Sequence, residues 1–352
     1  MWTVKLLKAD HVPSDFREPF IITGYRSCRC TVLTCLFSAL QHTNETLNFW
    51  THFAGFLFFV WQMYQTGDRY WSYNDPFTWA FTAYLISCCI YLLTSSWAHL
   101  FSCMSEWFRH VCFFLDYGAL SVYSFGCALV YSHYVFPTDY MGTWLHRAFI
   151  PLAFINGGCC TMLACSSRLM HEGRLRKLFR MLAFMLPYFC CSVPLLYRLA
   201  FCQGSECEAE SFPSHRRQFC WAFLTGFLYA SHFPERLAPG RFDIVGHSHQ
   251  IFHVCGMMAT YSQFQAVSVD LVQRRDVITS LAPEASFMST LGLLVTLVVM
   301  NLLIIASFSN YIWNPEQLRK IKHKQGRKTL VNLLEERRQV VDLPGEEEKK
   351  QV

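Results

Sequence analysis

The sequence predicts an all-α fold, a polytopic membrane bundle of eight helices. Three observations carry that expectation: a composition poor in charge, a series of long apolar segments, and a one-sided distribution of lysine and arginine. Hydrophobic residues make up 53% of the 352 residues and charged residues only 16%, against roughly 25% charged in an ordinary soluble domain. That balance excludes a soluble enzyme.

A window of about 19 residues moved along the chain finds apolar segments near 48–65, 77–103, 111–135, 146–166, 180–201, 218–233, 247–269 and 285–311. The sixth, QFCWAFLTGFLYASHF, is short against the ~20 residues that a span needs, so it is expected to tilt, to extend into its flanks or to be partly re-entrant. The first 47 residues are polar and mixed, without the order of a cleaved signal peptide, so the first helix is expected to serve for targeting.

Orientation follows from the basic residues. The loop from Ser167 to Arg180 carries Arg168, Arg174, Arg176, Lys177 and Arg180, and the tail beyond Trp313 carries ten more between Arg319 and Lys350. With eight spans both termini share a face, which adds Lys5, Lys8, Arg17, Arg26, Arg29, Arg109, Arg236 and Arg241, so 23 of the 30 basic residues fall on it. That face is expected to be cytoplasmic. The organisation is then a cytoplasmic segment at 1–47, a transmembrane bundle at 48–311 and a basic and charged cytoplasmic tail at 312–352.

The orientation gives meaning to the histidines. His249 and His253, one helical repeat apart, face the same way near the cytoplasmic start of the seventh segment. His99 lies in the last turns of the second, and Asp116 at the beginning of the third. Four polar groups from three helices therefore share one level. Ionisable groups inside membrane helices are costly and usually pair or bind. Three neutral imidazoles supply three positions around a tetrahedral Zn²⁺ and leave one for water, which a nearby carboxylate can orient. For one isolated histidine a satisfied hydrogen bond in a packed interior is the plainer reading; for the set, metal is favoured.

Ser95, His99 and Asp116, the words FLDYG and GHSHQIFHV, TNETLNFWTHFAGF before the first span and SHFPERLAPGRFD before the seventh resemble the progestin and adipoQ receptor (PAQR) family, over nearly the whole chain. PERLAPGRFD, GYR at 24–26 and the apolar eighth segment look like the membrane progestin receptor branch, nearest its gamma and delta types, rather than the seven-helix adiponectin receptors. The resemblance implies a seven-helix core with an added C-terminal span, a cytoplasmic N-terminus and plasma-membrane residence. It also implies zinc ligands at His99, His249 and His253, with Asp116 and Ser95 hydrogen-bonding the water in the fourth position.

Two functions stay open at this point. In one, a progestin enters laterally from the membrane and packs between helices against Phe, Tyr and Met, a few polar groups fixing its carbonyl ends. The branch is associated with rapid, non-genomic steroid signalling through heterotrimeric G proteins. In the other, zinc polarises the amide of a membrane lipid such as ceramide while Asp116 takes the proton, as the resemblance to adiponectin receptors implies. A structural zinc clamping helices would use almost the same residues.

Smaller features have plainer readings. Glu45, Asn48 and His52 share one helical face and are expected to form a polar clamp between the N-terminal segment and the bundle. Asn44 to Thr46 is a glycosylation sequon that a cytoplasmic N-terminus would leave unmodified. Cys202 and Cys207 lie in or beside an outer loop, where a disulfide is permitted, and CRC at 28–30 is too short for a metal site. Leu330, Leu333 and Leu334 share one side of a possible tail helix, for which a solvated flank is the plainer reading and a lipid-surface helix the sharper one. Nothing resembles a phosphate-binding loop, a Ser-His-Asp arrangement or a nucleic-acid module.

Overall fold

A computed structural model describes residues 4–70, 75–170, 173–282, 285–314 and 316. Among them helices dominate and no strand forms beyond a single bridge between Leu7 and Tyr25. A short helix α1 (Val32–Ser38) precedes α2 (Thr46–Tyr70), α3 (Trp79–Phe101), α4 (Glu106–Val130), α5 (Trp144–Leu169), α6 (Arg174–Ala200), α7 (Phe212–Ser231) and α8 (Ser248–Gln273). The short α9 (Arg275–Leu281) leads to α10 (Leu293–Trp313). The basic loop expected from Ser167 to Arg180 is tighter than that, because α5 runs on to Leu169 and α6 begins at Arg174, so most of its cations sit on helix ends. The tail from Arg319, with Leu330, Leu333 and Leu334, lies outside the described residues.

Side chains that satisfy exposed backbone donors mark several starts. Thr31 accepts from the Thr34 amide, Ser105 from that of Phe108 and Thr143 from that of His146. The short sixth segment extends into its N-terminal flank: α7 begins at Phe212 with Pro213 in its first turn and spans 20 residues. The helix continues through His215 because that imidazole is wholly buried against Asp270.

Among the described residues five helical stretches are long and apolar enough to cross a membrane: Pro76–Phe101, Glu106–Val135, Trp144–Leu169, Arg174–Ala200 and Met288–Trp313. The other long helices, α2, α7 and α8, are less apolar because they carry the polar side chains of the interior. Asn48, His52, His215, Gln218, His253, Thr260, Gln263 and Asp270 are all buried. The result is a helical membrane bundle in which α2 packs between α3 and α8, α3 on α4, α4 on α5, α5 on α6 and α7 on α8. Phe59, Tyr84, Leu92, Phe125, Leu129 and Val267 fill its core.

The last long helix is docked on the outside of α4 and α5. A Cβ at Gly118 of α4 would stand 2.8 Å from Ile305 Cδ1, so a side chain there would force Ile305 to shift. Asn301, buried in α10, donates to the Gly118 carbonyl at 3.2 Å, the kind of small-residue contact and interhelical hydrogen bond that joins helices in lipid.

Both ends of the bundle are pinned by buried polar groups. At the α8 C-terminus Asp270 accepts from Arg198 Nη1 at 2.9 Å, Ser211 Oγ at 2.7 Å and His215 Nε2 at 2.8 Å. Arg274 donates to the carbonyls of Tyr134 and Phe136, and Glu206, between the disulfide-linked Cys202 and Cys207, accepts from Arg198 Nε at 2.9 Å. This lock ties α6, α7 and α8 together.

At the other end the N-terminal segment folds back over the bundle. Asp243 accepts from the amides of Ile22 and Thr23 at 3.1 and 2.7 Å and from Thr23 Oγ1. Gly24, at φ 83°, admits no side chain, since a Cβ would lie 2.4 Å from Ile244 Cδ1 and 3.1 Å from the Asn44 nitrogen. Asn44 itself is buried, so its sequon is closed to a transferase in the folded protein.

Replacing Asp270 by Ala leaves Arg198 Nη1 and His215 Nε2 buried without the carboxylate they donate to, a loss of about 3–5 kcal/mol for a broken buried pair. Thermal unfolding of the purified protein in detergent is expected to drop sharply, and an unchanged midpoint would contradict the lock.

Candidate metal centre

Two helices deliver the three histidines to one point. His99 ends α3, while His249 and His253 lie in the first two turns of α8. One ligand atom from each lies within 4.8 Å of the others, and His99 and His253 are buried to 4% and 2% exposure. The group could hold a metal ion.

The partners on the far sides of two rings decide their tautomers. His99 Nδ1 lies 2.8 Å from Glu45 Oε2, and a carboxylate accepts, so Nδ1 carries the proton and Nε2 keeps a lone pair. His253 Nδ1 lies 3.2 Å from the Asn48 carbonyl and 3.0 Å from Thr51 Oγ1. The Thr51 hydroxyl donates to the Leu47 carbonyl at 2.8 Å, so both groups accept from Nδ1 and the second Nε2 is likewise free.

Across the site His249 Nε2 stands 3.4 Å from His99 Nε2. Tetrahedral zinc with nitrogens at about 2.0–2.1 Å separates its ligands by about 3.3–3.4 Å, so the donor set and this one spacing fit such an ion. A ligating histidine held by a carboxylate or carbonyl through its other nitrogen is the usual supporting arrangement.

Asp116 and Ser95 lie beside this group. Ser95 stands one turn before His99 on α3, and Asp116 faces it from α4. Glu45, Asn48 and His52, expected to form a polar clamp, meet the histidines with their shared face. Asn48 Nδ2 donates to Glu45 Oε2 at 2.8 Å, the same oxygen that holds His99. His52 stacks on His253 with ring centroids 3.7 Å apart and planes inclined by 15°.

Two contributors escape a reading of the sequence. Thr51 is legible only as a further polar residue three positions after Asn48. Arg26 donates to the carbonyls of His99 and Leu100, both at 2.6 Å, where the negative end of α3 favours a cation. It lies 73 positions from His99, and no local pattern announces that contact.

Deeper in the bundle a second polar belt crosses from α3 and α4 to α8. Tyr91 and Tyr123 hydroxyls lie 3.0 and 3.1 Å from Thr260 Oγ1. Tyr123 and Tyr84 donate to Gln263 Oε1 at 2.9 and 3.2 Å. Hydroxyl and amide groups are thus held inside an aromatic, otherwise apolar interior.

Comparison with known proteins agrees with this architecture. The family model described as Haemolysin-III related matches residues 40–264, a stretch that contains all three histidines. Membrane progestin receptor gamma-B of Danio rerio is 42% identical over 323 residues, 87% of this chain and 93% of that protein. Membrane progestin receptor delta of Homo sapiens is 42% identical over 310 residues, 87% of this chain and 90% of that protein. Human membrane progestin receptor gamma is 40% identical over 311 residues, covering 87% and 93%. The chain therefore belongs to the haemolysin-III-related, or progestin and adipoQ receptor, family of helical membrane proteins, within the branch that holds the gamma and delta membrane progestin receptors.

Proposed function

We propose that this protein is a membrane progestin receptor of the plasma membrane with an intramembrane zinc centre at His99, His249 and His253. The observation that carries the reading is an intact three-histidine group, oriented by Glu45, Asn48 and Thr51, in a chain 40–42% identical to proteins named for progestin binding. The steroid enters between helices and packs against aromatic side chains. The belt of Tyr84, Tyr91, Tyr123, Thr260 and Gln263 offers polar groups to its carbonyl ends, in the pattern of an apolar pocket with few directing groups. Signalling passes to a heterotrimeric G protein on the cytoplasmic face.

Both termini lie in the cytoplasm on this reading, which the distribution of basic residues supports. The Cys202–Cys207 disulfide then lies on the oxidising side. An epitope tag at residue 1 is expected to be labelled only after cells are permeabilised, and labelling of intact cells would reverse the orientation.

The zinc centre depends on its supporting residues. Replacing His249 or His253 by Ala removes a ligand and is expected to abolish stoichiometric zinc. Glu45→Gln keeps the shape but loses the carboxylate that orients His99, so zinc affinity is expected to fall about ten- to hundredfold. Metal analysis of the purified variants checks both, and full zinc in every variant would refute the site.

A second reading, a ceramidase-like amide hydrolase, is favoured by one observation, the Asp116–Ser95 pair beside His99. Zinc bound there supplies a Lewis acid that polarises a carbonyl oxygen. In this reading Ser95 fixes the Asp116 carboxylate by a hydrogen bond, and Asp116 takes the proton as general base. A progestin has no amide to cleave, so the two readings separate at one substitution.

Asp116→Asn removes the base and keeps the shape. Saturation binding of a radiolabelled progestin is expected to survive it, while any ceramide turnover by the purified protein should fall by about 10²–10⁴-fold. Absence of saturable progestin binding in the wild type, together with ceramide turnover that Asp116→Asn abolishes, would decide for the hydrolase.

A further inference from the structure

At the same end of the bundle, three arginines converge where α4 begins, α5 ends and α6 begins. Arg109 lies in the first turn of α4, Arg168 in the last turn of α5 and Arg180 in the second turn of α6. Arg109 and Arg168 are buried to 6% and 9% exposure. Phe113 holds them together: the Arg109 and Arg168 guanidinium carbons lie 5.0 and 4.1 Å from the centre of its ring. One turn further along α4, Arg180 lies 5.4 Å over Tyr117.

The cluster is short of acceptors. Glu18 Oε1 lies 3.1 Å from Arg109 Nη2, but that carboxylate is half-exposed. Arg168 Nε donates to the Nδ1 of His110 at 3.2 Å, and Arg168 and Arg180 also meet the phenols of Tyr117 and Tyr229. Asp116 acts on Arg168 from the metal centre. Three buried N–H donors still have no acceptor: Arg109 Nε, Arg180 Nε and Arg180 Nη2. Unsatisfied buried donors on a cation are expensive, and a surface charge placed only to orient the chain would keep its donors in water.

We propose that this arginine cluster binds a phosphate group carried by the headgroup of an anionic phospholipid. Guanidinium forks match phosphate oxygens in pairs, and basic pockets between transmembrane helices suit such headgroups. A lipid is the natural bearer because Leu178, Met181 and Leu182, around Arg180 on α6, expose apolar side chains that acyl chains can cover. The phosphate accepts from the Arg109 and Arg180 guanidinium groups once their closed Nε and Nη2 donors turn outward, while Arg168 adds charge.

The test uses the full-length protein in phosphatidylcholine nanodiscs, with and without a minor fraction of phosphatidylinositol 4,5-bisphosphate. Native mass spectrometry reads the lipid retained, and thermal unfolding reads the stabilisation. The wild type is expected to retain the phosphoinositide and to unfold at a higher temperature with it. Arg109→Gln and Arg180→Gln each lower retention roughly tenfold, as the loss of a charged hydrogen bond requires, while Arg174→Gln, at an exposed position, leaves it unchanged.

Where a glutamine variant fails to fold, Arg180→Lys keeps the charge, loses the fork and is expected to weaken retention. Inorganic phosphate in phosphatidylcholine nanodiscs distinguishes the source. Stabilisation by phosphate alone, lost in Arg180→Gln, supports the same site filled from solution. Equal retention by wild type, both glutamine variants and Arg180→Lys, or no effect of either ligand on the wild type, overturns the proposal.

Discussion

The constraint on which this structure turns is the cost of polar side chains inside an apolar bundle. Imidazoles, carboxylates and amides of α2, α3 and α8 are buried in it, where a polar group without a partner is costly. The hydrogen bonds Glu45–His99 and Asn48–His253 are therefore at once structural and chemical. They fix three helices to one another, and they leave the opposite ring nitrogens with lone pairs aimed at a shared point.

A helix with polar groups at both ends can be held in register by them. His253 and Asp270 lie on α8, roughly 25 Å apart along its axis at 1.5 Å per residue. One end is drawn to α2 and α3 by the histidines, the other to α6 and α7 by the ion-pair lock. Between them Thr260 and Gln263 receive the tyrosines of α3 and α4. The polar side of α8 thus reaches α2, α3, α4, α6 and α7. The N-terminal segment, held by Asp243 and anchored by Arg26 on the end of α3, closes the histidine end.

Much of this was legible from residue order, and the reasons differ from element to element. Long apolar runs announce helices because only a helix satisfies its own backbone in lipid, and the i, i+4 spacing of His249 and His253 puts two ligands on one face wherever the helix lies. His99 joined them through the depth argument, which needs only the direction of each span. The start of α7 was hidden because His215, Arg216 and Arg217 read as a polar boundary until the partner of His215, Asp270, is known. Glu45, Asn48 and His52 could be grouped by periodicity, yet which surface they face is set by contacts such as Glu45 with His99, 54 positions away. Arg26 shares that difficulty: a side chain that binds backbone carbonyls leaves no complementary residue to find.

The central claim is that α2 orients imidazoles of α3 and α8 around one metal ion. X-ray absorption at the zinc edge of the purified full-length protein tests it most directly. The account predicts one zinc per chain with three imidazole nitrogens and one further light-atom ligand at about 2.0–2.1 Å. Sulfur scattering at about 2.3 Å, or a protein purified without chelators that contains no metal, would contradict it.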